Sequence, residues 1–153
     1  MQYCLQTSMA AAILSLFVSL NAWGNPEEAC SEPNEIMVAE YYDLAINQKD
    51  FAAAAKYMGA EYIQHNPAAP DGPEGLEQFI AYLRENLPDY HSEIKRCFSD
   101  GDFVILHVHN KPTPDSIGKA IVDIFRLEEG KVVEHWDVIQ DIPENPQNAN
   151  TMF

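Results

Sequence analysis

The residues best able to do chemistry in this chain lie near its C-terminal end. In VDIFRLEEGKVVEHWDVIQ, Val122 to Gln140, an acid, Asp123, sits among the apolar positions of a strand-like run. If Glu129-Gly130 is a two-residue hairpin loop, Glu128 faces Lys131 across the turn. Counting back along both strands then sets Phe125 opposite Glu134 and Asp123 opposite Trp136. One face would carry Ile121, Asp123, Phe125, Trp136 and Val138, and the other Val122, Ile124, Arg126, Val133, His135 and Asp137. A carboxylate in an apolar, aromatic frame must be protonated or well hydrogen-bonded, because burying it ionised and alone is costly. A carboxyl with a raised pKa suits general acid/base catalysis at neutral pH. A structural Asp bonded to a neighbouring Ser, Tyr or backbone amide fits the same pattern.

Two further clusters offer polar chemistry. In DFVILHVHN, residues 102–110, Phe103, Ile105, His107 and His109 share one face, while Val104, Leu106, Val108 and Asn110 share the other. A strand HxH pair can ligate metal, but the loop that follows supplies only Asp115, so no metal is expected; a proton partner near Asp123 is the expected use, and a hydrogen-bonded, half-buried His the plainer one. In EYIQHNP, Gln64, His65 and Asn66 form a compact donor and acceptor cluster. It reads either as a pocket mouth that orients a carbonyl or hydroxyl, or as ordinary turn chemistry before Pro67. The chain has no GxSxG, phosphate-loop, dinucleotide or zinc-protease motif.

Helices and strands must position these groups. NEIMVAEYYDLAINQ places Ile36, Met37, Tyr41, Leu44 and Ala45 at helical spacing, and DFAAAAKYM follows Asp50 as N-cap. EYIQHNPAAPDGPEG, rich in Pro and Gly, reads as irregular. A third helix in EGLEQFIAYLREN aligns Leu76, Phe79, Ile80 and Leu83 and ends before Pro88. The runs HSEIKRCFS, DFVILHVHN, GKAIVDIFRLE and KVVEHWDVIQDI then read as an antiparallel meander, which makes the fold α+β. A curved sheet around helices would enclose a pocket for a small, mostly apolar ligand.

Length and charge narrow the remaining choices. A chain of 153 residues suits one domain with its own core. Its 24 acidic against 9 basic side chains, a formal charge of −15, make nucleic acid an unexpected partner. The apolar run Met9 to Leu20 and the small residues at Ala22 and Gly24 predict a signal peptide over 1–24, a leader over 25–33 and a domain over 34–153. The expected localisation is therefore exported, periplasmic or secreted. The lack of a basic residue before Met9 leaves an uncleaved membrane anchor as the alternative. Cleavage would remove Cys4 and leave Cys30 and Cys97, which an oxidising compartment could join at a gain of roughly 3–4 kcal/mol. Two unpaired cysteines are the other reading.

EYIQHNP, GLEQFIAYL, DIFRLEEGKVVEHWDVIQ and the terminal NPQNANTMF resemble the SnoaL-like polyketide cyclase family of the nuclear transport factor 2-like superfamily, over about Asn34 to Phe153. That resemblance implies a conical fold with a cavity and oligomers formed through the outer sheet face. It also implies a strand Asp that removes a proton alpha to a carbonyl without metal or cofactor, with a His nearby. Asp123 matches that Asp and His109 that His, with His65, Asn66, Trp136, Gln140 and Phe125 shaping the pocket. The function implied is a cyclase-like or isomerase-like enzyme acting on a small carbonyl compound. Two alternatives use the same fold: a non-catalytic module for a small hydrophobic ligand, and an assembly domain built on the His135 and Asp137 face.

Overall fold

The computed structural model describes residues 29–153. The expected signal peptide, Cys4 and the start of the leader lie outside these residues. Among the described residues no helix is long and apolar enough to cross a membrane.

Helix α1, Pro33–Tyr42, begins with Pro33 in its first turn, where a missing N–H costs no hydrogen bond. Glu35 secures that end: its Oε2 accepts from the backbone N–H groups of Ser31 at 3.0 Å and Glu32 at 3.3 Å, and its Oε1 accepts from the Ser99 hydroxyl at 2.8 Å. Burial would raise the Glu35 pKa, but these three bonds outweigh it and hold the group ionised below its ordinary value. The chain continues from α1 into a π-helical turn, Asp43–Asn47. Val38, Tyr41, Tyr42 and Ala45 are buried, and Ile36, expected on the apolar stripe, is exposed. Both stripes satisfy helical spacing, and packing against the sheet selects the one rotated toward Val38.

Helix α2, Phe51–Ala54, is capped as its sequence predicts, with the Asp50 carboxylate accepting from Ala53 N–H at 3.0 Å. Helix α3, Pro73–Asn86, buries Leu76, Ile80 and Leu83 and leaves Phe79 partly exposed.

Five strands form one sheet: β1 Met58–Gln64, β2 His91–Asp100, β3 Phe103–Lys111, β4 Lys119–Glu128 and β5 Lys131–Asp141. The order is β1-β5-β4-β3-β2, with β1 parallel to β5 and every other pair antiparallel. Strand β1 overlaps the stretch expected to be irregular. Its MGAEYIQ sequence lacks clean alternation, and what holds it is parallel pairing to β5, with Gln64 opposite His135. Gly59 permits the close approach, because a Cβ there would stand 2.6 Å from Val133 Cγ1.

The β4–β5 turn has Glu129 at φ 51° and Gly130 at φ 72°, the left-handed pair that a two-residue hairpin needs. Glu128 faces Lys131, as expected. The register then slips between Arg126 and Leu127: Leu127 faces Val132 and Arg126 faces Glu134, leaving Val133 as the extra residue of a bulge. Beyond it Phe125 faces His135, Asp123 faces Asp137 and Ile121 faces Ile139. The expected opposition of Asp123 to Trp136 is thus corrected, since one extra residue exchanges the two faces of β5.

The inner sheet face carries Val104, Leu106, Val108 and Asn110 from β3 and Ile121, Asp123, Phe125 and Leu127 from β4, all buried. Tyr41 and Tyr42 set their rings edge-on to Phe125, at centroid distances of 5.9 and 6.3 Å. Cys30 and Cys97 are joined in a disulfide, their Cα atoms 5.1 Å apart, which ties the start of α1 to β2. The paired reading of these cysteines therefore holds.

Candidate active site

The helices do not fill the concave side of the sheet. A cavity of about 580 Å³ remains, walled by Tyr41, Tyr42, Tyr62, Tyr90, Phe125 and Ile121 among others, with Asp123, His135 and Asp137 set into that mostly apolar lining. The bulge creates this grouping by turning His135 and Asp137 inward beside Asp123.

Asp123 is 4% exposed, and its Oδ1 lies 3.1 Å from His135 Nε2. Burial pushes the Asp123 pKa up; the bond to His135 and that ring's charge oppose the rise, and the facing Asp137 adds to it. The Tyr42 hydroxyl is near enough to favour the ionised form. Oδ2 nonetheless has no hydrogen-bond partner of good geometry. Phe125 stacks on the His135 ring at 4.7 Å between centroids.

On its far side His135 meets Gln64, with Nδ1 3.0 Å from Gln64 Oε1. Asn66 Nδ2 donates to Asp137 Oδ2 at 2.6 Å, and the backbone N–H of His65 donates to the His135 carbonyl at 2.9 Å. The Gln64-His65-Asn66 cluster thus binds along β5. Burial keeps the phenols of Tyr41, Tyr42 and Tyr62 well above their ordinary pKa and pushes Tyr90 up to about 12. All four are neutral hydrogen-bond donors at physiological pH.

Against this geometry a SnoaL-like domain model matches residues 38–135. The chain belongs to the SnoaL-like domain family. Solved structures agree on the fold, which is NTF2-like. TsrD from Streptomyces laurentii superposes with a TM-score of 0.60 at 21% identity, covering 72% of this chain and 90% of that one. A candidate polyketide cyclase from Bacillus cereus gives 0.60 at 22% identity, covering 69% and 73%. An NTF2-like protein of unknown function from Cytophaga hutchinsonii gives 0.56 at 17%, covering 72% and 93%. No curated protein matches.

In this SnoaL-like protein the expected site residues divide into two groups. Asp123, Phe125 and Asn66 line the cavity. His109, His65, Trp136 and Gln140 do not. His109 points from the outer face of β3, where its Nε2 meets the Ile117 carbonyl at 2.9 Å and its ring stacks on Phe153 at 4.5 Å. Its strand alternation places it opposite the buried Val108 and Asn110, of which Asn110 lines the cavity. His65 stacks on Trp136 at 4.5 Å and bonds Glu134 at 2.8 Å, both on the outer side of β5. Gln140 pairs with Ala120 and is exposed.

The residue beside Asp123 is therefore His135, which the unbulged register had assigned to the opposite face together with Asp137. The signal that could have found it is the crowding of Val132 and Val133: two consecutive apolar residues, both buried, break the alternation at the bulge. Asp123, His135 and Asp137 also offer one ligand atom each within 4.8 Å of one another. One imidazole and two carboxylates suit a divalent cation. The expectation of no metal rests on the β3 histidines, which lie outside this cluster.

Proposed function

We propose that this SnoaL-like protein is a cofactor-independent acid/base enzyme that removes a proton alpha to a carbonyl of a small, mostly apolar compound. The observation that carries this reading is the Asp123–His135 pair: a buried carboxyl held above its ordinary pKa, bonded to a ring nitrogen, in the wall of an aromatic cavity. When the shared proton rests on His135, the Asp123 carboxylate takes the α-proton and the C–H electron pair becomes an enolate. A tyrosine hydroxyl can donate to the enolate oxygen, since burial keeps these phenols protonated. The enolate carbon then attacks a second carbonyl carbon, as in aldol cyclisation, or is reprotonated elsewhere, as in isomerisation. Asp123 returns the proton in either case.

The test follows deuterium exchange at the α-carbons of acetophenone and β-tetralone by proton NMR. Exchange above the buffer rate that depends on Asp123 supports the reading. A second reading, a non-catalytic module for a hydrophobic ligand, draws support from the 5% exposure of the Asp123 side chain, which offers little carboxyl surface to a ligand. Tight binding of either ketone without exchange would favour it.

Export forms part of the proposal. Its supports are the apolar run Met9 to Leu20 and the Cys30–Cys97 disulfide, which persists in an oxidising compartment. Intact mass spectrometry of the chain made in a bacterial host is expected to show a product beginning near Asn25; an intact N-terminus would favour the anchor. Self-association through the outer sheet face is also proposed, because Phe98, Phe103, Val122 and Val138 are exposed there, Val138 at 68%. Light scattering should report an oligomer whose mass falls in Val138→Asp. A wild-type monomer would end that idea.

A further inference from the structure

We propose that Gln64 is the positioning residue of this site: it holds His135 in the tautomer that carries its proton on Nδ1, so that the Nε2 lone pair faces Asp123. The inference rests on the reading that Asp123 and His135 handle the proton, and it adds the residue that sets the direction of that handling.

The argument starts at an amide whose two ends must be told apart. Gln64 Oε1 lies 2.9 Å from the backbone nitrogen of Asn66, which can only donate. That contact fixes the oxygen end of the amide, and the nitrogen end then reaches the Tyr62 hydroxyl at 3.4 Å. The same oxygen lies 3.0 Å from His135 Nδ1, so Nδ1 must be the donor there. In a neutral ring the other nitrogen is then an acceptor.

Nε2, 3.1 Å from Asp123 Oδ1, therefore needs a proton between them. Either Asp123 is the acid and donates to Nε2, or the ring is a cation beside a carboxylate. The pair holds one mobile proton in both forms. The opposite tautomer, with its proton on Nε2 toward an ionised Asp123, would set Nδ1 lone pair against the Gln64 oxygen lone pair, which is repulsive. Neighbouring atoms hold the clamp in place. Gln64 N–H donates to Asp71 Oδ1 at 2.8 Å, and the Asn66 amide is oriented in turn by Ala68 N–H, which donates to its Oδ1 at 2.8 Å. A carboxamide accepts a hydrogen bond without taking up the proton, so Gln64 orients the ring and leaves the proton to Nε2 and Asp123.

Nitrogen-15 NMR of the histidine side chains reads this without any substrate. Comparison with His135→Gln assigns the signals. In the wild-type protein the neutral ring should show a protonated Nδ1 and an unprotonated Nε2. A neutral ring protonated on Nε2 overturns the proposal at once, whether or not any variant folds. In Gln64→Leu the Nδ1-protonated form should lose its dominance. Gln64→Glu, which keeps an acceptor behind Nδ1, should restore it. An unchanged tautomer in Gln64→Leu would also count against Gln64. None of these signals depends on turnover, so a failure of the ketone exchange assay would refute the enzymatic reading while leaving the tautomer result standing.

Discussion

Asp123→Asn should abolish most of the α-proton exchange, by about 100-fold or more, the usual contribution of a positioned general base. The cavity should still bind the ketone, because Asn preserves the shape of the side chain. The structure also suggests how the fold responds. An Asn amide can donate to His135 Nε2 as a protonated Asp123 would, so the buried bond at that position survives the substitution. Burial and the facing Asp137 raise the Asp123 pKa above 3.8. A carboxyl with a raised folded-state pKa stabilises the fold fully below its unfolded value, and that contribution is lost as pH rises through the folded value. Asn does not titrate. The melting temperature of Asp123→Asn should therefore equal or exceed that of the wild type at neutral pH, with its relative advantage growing as pH increases above about 4. A clear drop at neutral pH, roughly 1–3 kcal/mol, would mean that partners of an ionised Asp123 had been left unpaired. That outcome would make Asp123 a structural acid, and undiminished exchange in the variant would remove it from the chemistry.

Loss of the Cys30–Cys97 disulfide should have the largest effect on stability. The bond closes a loop of 67 residues and joins the chain before α1 to β2, so removing it restores freedom to the unfolded chain worth roughly 4 kcal/mol. Cys30 and Cys97 are both buried in the main core, so Ala at either position also leaves a small void. Urea unfolding of Cys30→Ala/Cys97→Ala, against the wild type with and without reductant, measures the effect. The midpoint should fall in the double variant and in the reduced wild type. A midpoint that ignores reductant would show that the bond adds nothing to stability in solution, and would weaken the case for export that rests on it.

Much of the scaffold was legible in the sequence because local chemistry enforces it. Asp50 caps α2, Glu129-Gly130 supplies the left-handed turn, and the β3 run alternates with one face buried, each decided by neighbours a few residues away. The α+β class and the place of Asp123 among apolar strand residues followed from the same local rules. Ile36 marks where they ran short, since a helix with two usable apolar stripes is oriented by what it packs against.

The composition of the site belongs to tertiary structure. Asp123 stands out in the sequence as an acid among apolar residues, but its partner depends on Val133, whose extra place in β5 brings His135 and Asp137 inward and turns Trp136 out. Strand β1 has weak alternation of its own and pairs in parallel with a strand about 70 residues away, so no local pattern announced that Gln64 would stand behind His135. A side-chain period of two makes each face depend on every intervening residue. Local patterning marks Asp123 as the acid out of place; one bulge and one distant parallel strand select the groups that surround it in the folded sheet.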